Sequence, residues 1–98
     1  MEKLAKEFKS GGYDFRQLKR RGNWALYERR RGAACNYEVI KIRKKKARNT
    51  KIAGRDVIFK GGEYYPATNE FGDAGWAFME LKNALEEYQI VTQRYPSV

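Results

Sequence analysis

Six cationic side chains fall within eight positions near the middle of the chain: Lys41, Arg43, Lys44, Lys45, Lys46 and Arg48. The triplet Arg29-Arg30-Arg31 precedes them, Lys51 and Arg55 follow, and Tyr27 and Tyr37 flank the triplet. Lys and Arg neutralise phosphates, and aromatic rings offer faces on which unpaired bases stack. A basic two-stranded ribbon also fits the major groove of B-DNA. From Arg16 to Arg55 there are fifteen Lys/Arg against two acids, Glu28 and Glu38. Residues 1–60 carry net +13 and residues 61–98 net −4, giving +9 in all. Charge so concentrated attracts polyanions over a Debye length of about 8–10 Å and speeds encounter with them. A solvated strand edge guarded by lysine, and docking on an acidic protein surface, are the competing explanations. Sequence-specific readout is not indicated, because no helix-turn-helix or RNA-recognition aromatic pattern is present.

Catalytic and metal chemistry find little support. The chain has no histidine, which excludes Ser-His-Asp and Cys-His arrangements and imidazole-bound zinc. Its single cysteine, Cys35, forms no intramolecular disulfide and sits among small residues that suggest a loop and an inert thiol. Activation of that thiol by Arg29–Arg31 is the alternative. Glu38-Val39-Ile40-Lys41 comes near the E-x-K core of metal-dependent nucleases. The spacing is one residue too long, which on a strand sends Lys41 to the face opposite Glu38. Asp14 is the only upstream acid that could serve as a second ligand. Glu63, Glu70 and Asp73 fit no calcium loop. The sequence therefore predicts no enzyme, no cofactor and no metal.

Several elements must position these charges. Leu4, Ala5 and Phe8 share a side at helical spacing, so residues 1–12 read as an arm or a short helix that Gly11-Gly12 ends. Phe15–Lys19 and Trp24–Arg29 read as strands joined through Gly22-Asn23. Tyr37–Arg43 is the clearest strand, with period-two alternation that places Ile40 and Ile42 together and Lys41 and Arg43 on the opposite face. Lys44 to Arg48 extends it as a protruding ribbon. Residues 52–59 form a further strand pair around Gly54, closed by Gly61-Gly62, and residues 62–75 form a loop. Gly75–Phe78 is a short strand that contributes Trp76 and Phe78 to the core. A helix then runs from about Met79 to Gln93, with Leu81, Ala84, Leu85, Tyr88 and Val91 as its apolar stripe, and Pro96 stops it.

These elements predict one α+β domain over residues 13–95: a twisted antiparallel sheet covered on one face by the C-terminal helix, in two layers. The helix should cover the Ile40/Ile42 face and leave the basic face open. The fourteen aromatics and 42% hydrophobic content support a folded core despite the charge. No apolar run reaches the roughly 18–20 residues needed to cross a bilayer, and the N-terminus lacks a secretory h-region, so a cytoplasmic protein without a membrane partner is expected.

Residues 24–88 resemble a type of small uncharacterised protein of tailed bacteriophages. The resemblance rests on Ala25-Leu26-Tyr27-Glu28, Tyr37–Arg43, Gly54, Gly62-Glu63 with Tyr65-Pro66, Glu70-Phe71-Gly72, Gly75–Phe78, Leu81, Ala84 and Tyr88. It implies a phage-encoded accessory protein of the host cytoplasm that binds nucleic acid or disables host machinery. Two readings follow. One is non-enzymatic binding of DNA or RNA through the basic strand face. The other is an inhibitor docked on a host nucleic-acid enzyme or a defence complex, of the anti-restriction or anti-CRISPR type.

Overall fold

A computed structural model describes residues 3–59 and 61–94, apart from the side chains of Thr50 and Phe59. Two-residue turns set the path of the chain. Strand β1 (Glu7–Ser10) turns at Gly11-Gly12 into β2 (Tyr13–Arg21), and β2 turns at Gly22-Asn23 into β3 (Trp24–Arg31). A turn at Gly32-Ala33 leads into β4 (Ala34–Lys41). After Ile42 come β5 (Arg43–Lys45) and β6 (Arg48–Ile52), and Ala53-Gly54 turns β6 into β7 (Arg55–Phe59). The chain continues through β8 (Gly62–Tyr64), a 3-10 turn at Thr68–Glu70, β9 (Gly75–Phe78) and helix α1 (Leu81–Arg94). Strands β1-β2-β3-β4-β9 form one antiparallel sheet, β5 pairs with β8, and β6 with β7.

The fold is the expected α+β arrangement of an antiparallel sheet and a packed C-terminal helix. The N-terminal segment differs. Residues 7–10 are extended rather than helical, and Gly11 (φ 58°) and Gly12 (φ 83°) supply the positive φ that a two-residue hairpin turn needs at both positions. The spacing of Leu4 and Phe8 suits a helix, yet the hairpin puts Phe8 opposite Phe15 with their rings stacked 4.6 Å apart. The segment is part of the domain: the Leu4 amide donates to Glu63, and Ala5 accepts from the Tyr27 hydroxyl.

A second correction concerns the faces of the sheet. Helix α1 packs with Trp24, Leu26 and Val39 through Ala84 and Val91, supported by half-buried Leu85 and Tyr88. Leu81, read as part of the apolar stripe, is 38% exposed. The opposite face carries Phe15, Ala25, Tyr27, Ile40 and Ile42, covered by Leu4, Phe8, Tyr65 and Phe71. The helix therefore covers the face that the period-two reading left open, and residues distant in sequence cover the Ile40/Ile42 face. Each fully buried large side chain among these contributes about 1.5–3 kcal/mol. Among the smaller differences, Cys35 already lies in β4, and the expected loop at 62–75 contains β8 and the 3-10 turn. The helix stop expected at Pro96, and residue 95, lie outside the described residues.

One irregularity steers the site. The β2–β3 register shifts between Gln17 and Lys19, a β-bulge at Leu18. Leu18 packs with the helix-side core. Beyond it Arg20 pairs with Ala25 and so shares the side of Tyr27 and Ile40. Had Leu18 paired in a regular ladder, with no bulge, Arg20 would have fallen opposite Trp24 on the helix side.

Candidate nucleic-acid interface

The β5–β8 pair and the β6–β7 hairpin leave the end of the sheet where Trp24 and Lys41 pair. Between Arg43 and Arg55 this extension holds seven Lys/Arg, and Asp56 is the only acid from residue 43 to residue 59. Arg43, Lys44, Lys45, Lys46, Arg48, Lys51 and Arg55 are all exposed. The Ala53-Gly54 turn has φ 52° and 77°, so a non-glycine residue occupies a left-handed position at the ribbon tip. Gly61 is fixed by space. A Cβ there would meet the Ala47 backbone nitrogen at 2.8 Å, which holds the two arms of the ribbon close at its base.

The cations are not all alike. Arg43 Nε pairs with Glu70 at 2.9 Å, which ties the first ribbon strand to the 3-10 turn. Lys45 Nζ lies 5.0 Å from the centre of the Tyr64 ring, a ring 37% exposed. Lys51 and Asp56 are paired across the β6–β7 ladder, and Ile52 (53% exposed) and Ile58 (73% exposed) add apolar surface beside them.

The remaining predicted site residues lie elsewhere. Arg29, Arg30 and Arg31 occupy the far end of β3, about 17–23 Å from Trp24 by strand rise. Arg30 pairs with Glu28 at 3.5 Å, and the Arg29 guanidinium sits 3.4 Å from the centre of the Tyr13 ring. Tyr27 is fully buried, its hydroxyl donating to Ala5 and accepting from Gln17, so it offers no face for a base. Tyr37 packs half-buried against the helix-side core. Lys41 is exposed on the helix side, whereas Arg43 belongs to the separate β5–β8 pair, so the two do not share one open face. The single basic face of the sequence reading is therefore two cationic regions at opposite ends of the sheet.

A basic groove absent from that reading adjoins the ribbon base. Lys3, Lys6, Lys19 and Arg20 line a cavity of about 680 Å³. Its neighbouring acid, Glu63, is neutralised locally. Arg20 donates to both carboxylate oxygens at 2.6 and 2.7 Å, and the Leu4 amide donates at 2.9 Å. The Arg20 hydrogen bonds hold the Glu63 pKa down at about 2. Glu63 sits opposite Lys44 in the β5–β8 ladder, so groove and ribbon meet there. Only the folded bulge in β2 makes this groove visible.

Glu38 and Lys41 do not form a nuclease-like pair. Glu38 is buried on the Tyr27 side, Lys41 is exposed on the other, and Asp14 lies at the far end of β2, 3.7 Å from Lys9. Among the described residues no three His, Cys, Asp or Glu side chains come together as a metal site. No described helix is long and apolar enough to cross a membrane. No family model, curated protein or solved structure matches the chain.

Proposed function

We propose that this protein binds nucleic acid without catalysis and with little sequence preference, through the ribbon formed by residues 43–59. The observation that carries the reading is the exposure of seven cations between residues 43 and 59, where Asp56 is the one acid, beside a second lysine-rich groove. Phosphates need donors held at the surface and not already committed to carboxylates, and Lys44, Lys46, Lys51 and Arg55 supply them. The phage-like pattern of residues 24–88 supports an accessory role in a host cytoplasm.

Titration of labelled single- and double-stranded DNA and RNA at graded salt tests the reading. With about five phosphates neutralised, log K should fall with log salt at a slope near −4 to −5 on duplex DNA. A flat response, or no binding at low ionic strength, overturns it. The exposed Ile52 and Ile58 favour a second reading, in which the ribbon docks on the nucleic-acid-binding surface of a host enzyme or defence complex. Capture of a host protein that survives nuclease treatment, together with a flat salt response, would establish that reading instead.

A further inference from the structure

A cavity of about 470 Å³ opens between the β1–β2 hairpin and the segment 65–71, on the face away from α1. Five aromatic rings line it, Phe8, Tyr13, Phe15, Tyr65 and Phe71, together with two charged residues, Glu38 and Arg29. This volume falls in the usual range for a small-molecule site. Glu38 is only 7% exposed and accepts a 2.6 Å hydrogen bond from the Tyr65 hydroxyl. Arg29 is held on the Tyr13 ring. Among the described residues neither Glu38 nor Arg29 makes an ion pair, with each other or with a third group. Two opposite charges on the same side of adjacent strands ordinarily close on one another. Here ring packing and the tyrosine hold them apart, leaving an acceptor and a donor at one aromatic cavity.

We infer that this cavity takes a single unpaired guanine base, stacked against its aromatic wall. Guanine carries two N–H donors on its Watson–Crick edge and two acceptors, O6 and N7, on the adjoining edge. A carboxylate can accept the two donors, and a guanidinium can donate to O6 and N7. The other bases lack that combination, since adenine and cytosine present one exocyclic donor group and uracil a single ring N–H. Burial, and next Glu38, push the Tyr65 pKa well above the ordinary phenol range, so the hydroxyl stays a donor and fixes the carboxylate. Tyr65 follows directly on Tyr64, which closes the β5–β8 pair, and Glu70 of the same segment binds Arg43. Residues 65–71 thus connect the cavity, which lies towards the Arg29 end of the sheet, with the ribbon base. The inference rests on the nucleic-acid reading and gives it a base preference.

The test is an NMR titration of the intact chain with GMP, AMP, CMP, UMP and IMP, followed at the Tyr65 and Phe71 resonances. GMP should bind at least about tenfold more tightly than the others, including IMP, which lacks only the 2-amino group. Glu38→Gln keeps an acceptor for Tyr65 and should abolish the preference. Should that variant fail to fold, the GMP–IMP comparison on the unchanged protein still decides. Equal shifts from all the mononucleotides, or none from any, overturn the site. Single strands of equal length with and without one guanine then separate the two sources of the base. A guanine effect in strands supports a base within a polymer, and GMP preference without it supports a free nucleotide. Guanine-free strands that bind with a steep salt slope while GMP and IMP bind equally would overturn the cavity and leave the ribbon reading intact.

Discussion

The ribbon and the body of the sheet are built from the same residue types to different ends. In the body, Arg20 clamps Glu63, Arg16 and Arg30 hold Glu28 at 3.6 and 3.5 Å, and Arg29 covers Tyr13. In the ribbon, the cations are exposed and acids are scarce, Glu70 on Arg43 being the clear exception. A count of positive charge cannot tell these populations apart. What separates them is whether the surrounding fold supplies a carboxylate or a ring within reach, which is a property of tertiary pairing. Positive charge in the body is engaged by the fold itself, while the exposed charge of the ribbon is what the proposed binding would use.

The largest expected effect that would break this contrast belongs to Tyr27, whose residue type suggests stacking but whose position is core. Tyr27→Ala should cost about 3–5 kcal/mol in denaturant melts, as other large aromatic truncations do. Tyr27→Phe removes only the hydroxyl and should cost about 1–3 kcal/mol, since Gln17 loses a partner. Next comes Glu63→Gln, which should destabilise by about 3 kcal/mol because it leaves the part-buried Arg20 without its counter-charge. The same pair predicts a pH dependence. The Glu63 pKa is about 2 in the folded protein against an ordinary 4.5, so its stabilisation is complete above pH 4.5 and is lost as pH falls towards 2. Acid titration of the variant should lack that component.

A smaller stability effect, with a large effect on binding, should follow joint replacement of Lys44, Lys46, Lys51 and Arg55 by Gln. Each exposed change should alter folding by no more than about 0.5 kcal/mol, while the salt slope should fall by about one for each phosphate contact removed. Lys3, Lys6 and Lys19 changed together to Gln sharpen the comparison. A partial loss supports a groove continuous with the ribbon, and a loss equal to that of the ribbon variant would mean diffuse attraction with no defined site. The smallest effect concerns the tip. Ala53→Asn should relieve part of the roughly 1 kcal/mol cost of a left-handed alanine. Slower amide exchange in β6 and β7, with the global melt unchanged, is the expected result.

Much of the fold was legible because period-two and period-3.6 patterns are local. Tyr37–Lys41 alternates cleanly, and Ala84, Leu85, Tyr88 and Val91 mark one side of the helix. Gly22-Asn23 and Gly54 announce their turns through backbone geometry. The N-terminal strand was not legible, because Leu4 and Phe8 satisfy helical spacing equally well and paired glycines can stop a helix or turn a hairpin. Nor was the second core, since the cover over Ile40 comes from residues 4, 8, 65 and 71, which no local pattern connects. That same omission made Tyr27 look available. The ribbon was the legible part of the candidate site, while the lysine groove and the aromatic cavity depend on pairings between distant segments.

The bulge at Leu18 means that β2 is written in two phases, one before it and one after it. Excision of residue 18 would change neither the net charge nor any other side chain. The Gln17–Tyr27 and Lys19–Leu26 pairs would then be consecutive rungs of one regular ladder, so Lys19, Arg20 and Arg21 would keep their sides and Arg20 would still reach Glu63. Loss of the bulge residue should therefore be felt at the Leu18 contact with the helix-side core and not at Glu63 or the ribbon base. Between related chains, residue 18 should accordingly be the position of this segment most easily lost, while Arg20 keeps its place opposite Ala25.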